Sequence, residues 1–370
     1  MIRGSPVRPA HRQGSGDLFL RKIFVALCII RYMKKTTLKQ VAEQLGVSLS
    51  TVSKALMDSH EIGLDTKKKI REMAEKMGYR ANPYAGHLHN RKSHTIGMIV
   101  PEITDNFFNK AISGAEAIAR ERGYHLLIYV THEDALVERE ILQHLQNGRV
   151  DGVIMSLTSQ TREYDHIRQL MAFSIPVVLF DRVCHEIETA KITTDDFQSA
   201  FNATEHLVHT GCRDIAFLSI SDCLSIDARR KQGYLEALAK HAQVAGKPRI
   251  IQCGADERSN HQKIKRLLSG ESRPDGIFSS VERFALTTYN VCQELDLNIP
   301  RDLKLIAFSN LMTAHLLHPS LTTITQPAFD MGKQAAEILL RHLSRKSDLM
   351  MNQHIMIRSE LIERESTAVR

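Results

Sequence analysis

No stretch of the 370-residue sequence reaches 18 consecutive apolar residues, the length a membrane-crossing helix needs. The six cysteines (Cys28, Cys184, Cys212, Cys223, Cys253 and Cys292) form no C-x-x-C pair and keep no regular spacing. They read as reduced, mostly buried thiols of a cytoplasmic protein. A G-x-G-x-x-G fingerprint, a P-loop and a nucleophile elbow are all missing, so an enzyme would need an unrecognised constellation. The 18 histidines are scattered, and His87 and His89, two apart on a marginal helix, make a poor metal pair. Neither a metal, nor a cofactor, nor catalysis is expected.

What is there is unevenly distributed. Lysine and arginine number 49 against 42 aspartates and glutamates, a net charge of +7. Residues 1–33 carry 6 basic and 1 acidic side chains, and Lys34 to Lys92 carry 12 and 6. From Ser93 onward, 31 basic side chains stand against 35 acidic ones. One module is composed to meet phosphate and the other is not. The length is that of two to three domains, and 43% hydrophobic residues supply a large core.

The basic end holds the most informative pattern. Leu38, Val41, Ala42 and Leu45 fall at helical spacing, and Thr37 with Gln40 predicts a capping box before them. Gly46 permits a sharp exit, and Ser48 caps a second helix through Leu56. On that helix Val52, Ala55 and Leu56 point inward, leaving Leu49, Ser50, Thr51, Ser53 and Lys54 outside. Small hydroxyls and a cation suit phosphate oxygens and base edges in a major groove. A third helix carries Ile70, Met73, Ala74 and Met77 on one face and Lys67, Lys68, Lys69, Arg71 and Lys76 on the other, ending at Gly78. Three short helices with a basic surface make a helix-turn-helix domain, expected over 33–79.

Residues 1–32 are expected to be a disordered or non-native extension. The apolar run Ile23 to Ile30 is too short for an export signal and lacks a small-residue cleavage site, which makes Met33 the expected natural start. Residues 80–93 read as a hinge or linker. From 94 to 370 short apolar strands alternate with helices: Ile96 to Val100, Leu126 to Val130, Gly152 to Ser156 and Pro176 to Phe180 in a first series, Ile215 to Ser219, Arg249 to Gln252, Gly276 to Ser279 and Leu303 to Phe308 in a second. This predicts α/β layers in two Rossmann-like lobes, with a cleft between them.

Several phrases then occur in order: Gly46-Val-Ser48, Thr51-Val-Ser-Lys54, Gly78-Tyr79, Asp181-Arg182, Arg230-Lys-Gln-Gly-Tyr234 and Leu321-Thr-Thr-Ile-Thr-Gln-Pro327. In these the sequence resembles the LacI/GalR family of bacterial transcription regulators, over essentially all of Met33 to Arg370. The resemblance implies a periplasmic-binding-protein-like core in which the chain crosses between lobes near 190 and 320. It also implies a homodimer, a near-palindromic double-stranded DNA operator, a small-molecule effector of sugar or sugar-derivative type, and repression.

By the same resemblance, residues 80–93 are the hinge helix. Asn82 is a good N-cap and Pro83 fits the first helical position, but about two turns containing Gly86 are marginal alone in water. Asn82 and Ala85 belong to this segment, and Leu88 matches the side chain that wedges into the minor groove. Arg91 and Lys92 suit phosphate. Leu49, Ser50 and Lys54 match the base-reading positions, and Thr36, Ser48, Thr51 and Ser53 are assigned to phosphates.

Phe108, Asp181, Arg182, Asp196, Arg230, Glu282, Asn310 and Gln326 match the effector-binding positions. Arg230 is the strongest of these, read as opening a helix that faces the cleft. Glu282 stands where the family usually has an aspartate, and Ser309-Asn310 where it has paired aspartates. Glu282 beside Arg283 is expected to form an internal ion pair, which argues against a simple neutral hexose. Two alternatives stay open: an exported binding receptor, and a DNA-binding regulator that answers to no effector.

Overall fold

The structure is a computed structural model that describes residues 36–56, 58–79, 92–345 and 352–369. The expected N-terminal extension, Met33, and the hinge residues Asn82, Ala85 and Leu88 lie outside the described residues, as do His87, His89 and Arg91. The chain divides into two compact units, Met1–Arg91 and Lys92–Arg370.

The first unit contains helices α1 (Leu38–Leu45), α2 (Leu49–Leu56) and α3 (Leu64–Lys76). Both halves of the capping box form at α1: Gln40 N donates to Thr37 Oγ1 and Thr37 N to Gln40 Oε1 at 2.8 Å. Gly46 ends that helix in the left-handed region at φ 63°, which a side chain would strain. Ser48 Oγ accepts from Thr51 N at 3.1 Å and starts α2. Val41, Ala42, Val52, Ala55, Ile70 and Ala74 close a small core. Capping therefore matters here, because so few buried side chains hold the unit together.

The second unit is two doubly wound lobes. In the first, β1 (Thr95–Val100), α4 (Asn106–Glu121), β2 (His125–Val130), α5 (Ala135–Leu145), β3 (Gly152–Met155), α6 (Asp165–Ala172), β4 (Val177–Phe180) and β5 (Lys191–Thr194) follow in order. The second begins with α7 (Asp196–His209), β6 (Ile215–Ser219), α8 (Ser225–Lys240), β7 (Arg249–Gln252) and α9 (Glu257–Leu268). It continues through β8 (Gly276–Ser279), α10 (Glu282–Glu294), β9 (Lys304–Phe308) and β10 (Thr322–Thr325). The chain then returns as α11 (Ala328–Arg345) and β11 (His354–Ile357), and ends with β12 (Glu360–Ile362).

The sheets run β11-β5-β4-β3-β1-β2 and β12-β10-β9-β8-β6-β7. Among the described residues, only the β10–β12 pairing is antiparallel. Central strands such as β1, β3, β4, β6 and β8 are buried along their whole length, as expected of parallel strands covered on both faces.

Helix α11 belongs to the first lobe, where it packs on α4. A methyl group on Gly332 would stand 1.9 Å from Ala111 O, and one on Gly114 would stand 2.0 Å from Phe329 O. Two glycines thus let the helix backbones touch, and so seat a C-terminal helix in the N-terminal lobe.

Among the described residues, the chain passes between lobes three times: after β5, after β10 and between β11 and β12. The third passage is one more than the sequence indicated, because β11 and β12 are too short to show a period. Asp195 on the first passage accepts from Ser359 N on the third at 2.7 Å. Gln326 on the second donates to Asp181 Oδ1 at 3.2 Å.

Three helices start earlier than apolar periodicity indicated, at Asn106, Ser225 and Glu257. At two of them an aspartate cap sets the start: Asp105 accepts from Phe107 N, and Asp256 from Arg258 N and Ser259 N. Arg230 therefore lies inside α8, in its second turn, and does not open it.

Candidate functional site

The outer face of α2 is the first candidate surface. Leu49 is 51% exposed and Ser50 is exposed beside it, whereas Thr51, Ser53 and Lys54 are half-buried. Ser48 Oγ lies 2.8 Å from both Ser50 Oγ and Thr51 Oγ1, which joins the three hydroxyls in one cluster. Lys54 Nζ is held by Glu61. Thr36 differs from its assignment: its hydroxyl donates to Met77 O at 2.7 Å, so that proton is not free for a phosphate. The basic face of α3 is also partly neutralised, since Asp58 takes both Lys67 and Arg71, at 3.1 and 2.8 Å. Lys92 Nζ donates to Leu343 O at 3.0 Å within the core.

The second candidate is the cleft between the lobes, built at the carboxyl ends of the strands. After β1, Asp105 caps α4 and places Asn106 and Phe108 at the opening. After β4 come Asp181, in the left-handed region at φ 57°, and Arg182. The facing lobe supplies Arg230 from α8, Glu282 at the start of α10, Ser309 and Asn310 after β9, and Gln326 after β10. Of the eight residues expected here, seven line one cavity together with Asp105, Phe107 and Phe308.

Asp196 is the exception. It stands behind Arg230, accepting from Nε at 2.7 Å, and lines a separate cavity near the crossing strands. Its role in the cleft is therefore to orient the arginine. Burial pushes the Asp196 carboxyl up to about 6 against the opposing pull of Arg230.

Both arginines are braced. Arg230, 2% exposed, also donates Nη1 to Ser280 O at 2.6 Å and lies over the Phe308 ring with Cζ 3.7 Å from its centroid. Arg182 Nη1 lies 2.9 Å from both carboxylate oxygens of Glu133 and its guanidinium is 5.5 Å from the Phe108 centroid. The Asp181-Arg182 pair is buried and faces the cavity.

Glu282 does not pair with Arg283. It accepts instead from Asn106 Nδ2 and Ser309 Oγ, both at 2.6 Å, and from Asn310 N at 3.1 Å. Arg283 donates Nη2 to Gly254 O at 3.0 Å. The adjacent side chains diverge because Glu282, at the helix start, turns toward the backbone and side chains that follow β9.

Among the described residues, eight side-chain polar atoms are buried without a hydrogen-bond partner, and three of them, Arg182 Nε, Arg230 Nη2 and Asn310 Oδ1, belong to residues that line this cavity. Buried orphans cost about 1–3 kcal/mol each, so the gathering of these three at one cleft marks a place completed by a ligand. Asp105 is also shifted: burial, then the facing Glu282, push its carboxyl up to about 6.

Asp105, Asn106, Glu133 and Ser280 were not singled out from the sequence. Asp105 and Asn106 had a legible signal, an Asx cap directly after an apolar strand. Glu133 and Ser280 had none, since their partners are remote in sequence.

Residues 37–82 match the family of bacterial regulatory proteins of the lacI type, and residues 204–367 match the periplasmic binding protein-like domain. The chain belongs to the LacI family. As a LacI-family chain it is 29% identical over 312 residues to catabolite control protein A of Priestia megaterium, covering 84% of this chain and 93% of that protein. It is 27% identical over 329 residues to the HTH-type transcriptional repressor CytR of Escherichia coli K12, covering 89% and 94%. A solved LacI-family regulator from Enterococcus faecium with bound ribose superposes with a TM-score of 0.67 at 26% identity, over 75% of this chain and 99% of that one. This LacI-family chain is a transcriptional regulator with a DNA-binding head and a binding-protein-like core. Among the described residues no helix is long and apolar enough to cross a membrane, and no group of three metal-ligating side chains forms.

Proposed function

We propose that this protein is a cytoplasmic homodimeric repressor whose affinity for a near-palindromic operator is set by a small molecule held between the lobes. The carrying observation is Arg230: buried, fixed by Asp196 and Ser280, stacked on Phe308, and left with one unpartnered nitrogen in the cleft. A structural arginine has no reason to keep an orphaned donor at a lobe boundary. Leu49, Ser50 and Lys54 read bases, and Ser48, Thr51 and Ser53 hold phosphates. Asn82, Ala85 and Leu88 form the hinge that enters the minor groove. The exposed Leu127 and Ile128 on the edge strand β2, and Ile250 on the edge strand β7, are apolar surface that a second copy would cover.

The switch is a population shift. Lobes in contact and lobes apart hold the paired hinges differently, and a ligand preferring one state moves operator affinity by about 1–3 kcal/mol. The relatives' names concern regulation, and the cleft holds orphaned hydrogen-bonding groups without a nucleophile–base pair, so the protein is read as having no enzymatic activity.

The test is recovery of genomic fragments by the full chain at physiological salt, followed by sequencing. Enrichment of a palindromic motif supports the reading. Uniform recovery that disappears with added salt leaves only phosphate attraction and refutes sequence-specific recognition.

A further inference from the structure

Charge compensation in the cleft is uneven. Arg182 is answered by Glu133 at 2.9 Å and, more loosely, by Asp181 at 3.9 Å. Arg230 is answered by Asp196 at 2.7 Å. Among the described residues, two carboxylates at the inner end, Asp105 and Glu282, make no ion pair, and Arg182 acts on Asp105 only from a distance. Glu282 is bound only by the neutral donors Asn106, Ser309 and Asn310. Asp105 accepts from the Phe107 backbone and faces Glu282, and the like charge raises its carboxyl further after burial has done so. Arg283 lines the adjoining outer cavity, where it and Arg182 stand among five carboxylates, those of Glu102, Asp105, Glu133, Glu257 and Glu282, so the region keeps an excess of negative charge.

Asn310 supplies an independent sign. Its Nδ2 donates to Gln326 O at 2.7 Å, which fixes the amide and leaves Oδ1 as a buried acceptor with no donor. Asn310 is 4% exposed and lines the same cavity as Asp105 and Glu282. Two carboxylates without an ion pair and an orphaned amide oxygen ask for a group that is rich in N–H and positive. At the other end of the cavity, Arg182 Nε and Arg230 Nη2 ask for acceptors, which hydroxyl oxygens provide.

We infer that the effector is a small polyhydroxylated molecule bearing a protonated amine, with the amine seated by Asp105, Glu282 and the Asn310 amide oxygen and the hydroxyls at the two arginines. The inference rests on the effector reading of the cleft. An ammonium relieves the repulsion between two carboxylates contributed by opposite lobes, so its binding also favours closure. A phosphate or carboxylate in the same place would meet both carboxylates.

The test is calorimetric titration of the full chain with glucosamine, galactosamine and mannosamine, each beside its neutral parent hexose, and with glucose 6-phosphate. Operator affinity is measured with every compound. At least one amino sugar is expected to bind about tenfold more tightly than its parent, the gain of a charge-assisted contact. Asp105→Asn, which keeps a good helix cap, should bring that ratio close to one. Asp105→Ser is the second variant should the first not fold.

The inference is overturned if no amino sugar exceeds its parent, if glucose 6-phosphate binds most tightly, or if the ratio survives both variants. A shift in operator affinity with a neutral or phosphorylated sugar would then retain the effector reading alone. An operator affinity unmoved by all seven compounds removes both.

Discussion

Asn106 Nδ2 donates to Glu282 Oε1 over 2.6 Å, joining the first residue of α4 in one lobe to the first residue of α10 in the other. The two are separated by 176 positions in the chain. Ser221 Oγ to Ser159 O at 3.1 Å and Val183 N to Ser225 Oγ at 3.3 Å span the same boundary. The lobes are thus held in contact by neutral donors, of which Asn106 and, at 3.2 Å, Gln326 act on carboxylates. Hydrogen bonds to charged groups contribute about 1.5–3 kcal/mol net, roughly twice the neutral kind.

Removing that contact should open the cleft. Asn106→Ala is expected to increase the radius of gyration of the free protein in small-angle scattering. It should also lower the affinity of any ligand that binds the closed form by about tenfold. Unchanged scattering together with unchanged affinity would show that the contact is not coupled to closure.

Arg230 has two duties that mutation can separate. Arg230→Met strands the buried Asp196 carboxylate and should cost about 3–5 kcal/mol in urea unfolding. Adding Asp196→Asn should restore most of that loss, because the stranded charge is gone. Ligand response of operator binding should stay absent in both. Recovery of the response in the double variant would remove Arg230 from the binding set.

Glu61 competes with DNA for Lys54. Glu61→Gln should raise affinity for the operator more than for random-sequence DNA, because the freed Lys54 donates to base edges. Filter binding over a range of salt concentrations checks it. An equal gain on both DNAs, with the slope of log affinity against log salt steepened by about one, would place Lys54 on the phosphates instead of the bases.

Asp105 makes a definite pH prediction. Its folded value of about 6 lies above the 3.8 of a free aspartate, with Glu282, Arg182 and Asp181 the charged groups that act on it. The native state therefore holds the proton longer than the unfolded chain. The resulting stability is present below about pH 4 and is lost as pH rises through about 6. Urea midpoints of the unaltered protein should fall relative to Asp105→Asn across that window, and run parallel above it.

The parts of this protein that were legible in the sequence are those whose causes are local. The head follows from Thr37 and Gln40 capping α1, Gly46 turning the chain and Val52 with Ala55 facing inward, all within twenty residues. Strands β6, β7 and β8 were delimited at their observed ends because a short apolar run between polar segments carries its own boundaries. The lobe to which a segment belongs is a different matter. Strands β5, β11 and β12 bury alternate or few residues and sit at or near sheet edges, so their pairing is decided by register with remote strands. Helix α11 joins the first lobe because Gly332 and Gly114 allow two backbones to touch, and neither glycine reveals the other from its own surroundings.

The cleft divides the same way. Family phrases located Arg182, Arg230, Asn310 and Gln326, but residue type alone could not say that Asp196 stands behind Arg230. Nor could it show that Glu282 turns from Arg283 to Asn106, or that Asp105 makes no ion pair. A charge's partner in a folded protein is chosen by distance and desolvation across the tertiary structure, not by adjacency in the chain. Local patterns along the chain sufficed to place a DNA-binding head before a two-lobed core, whereas the pairing of charges within that core depended on contacts between residues far apart in sequence.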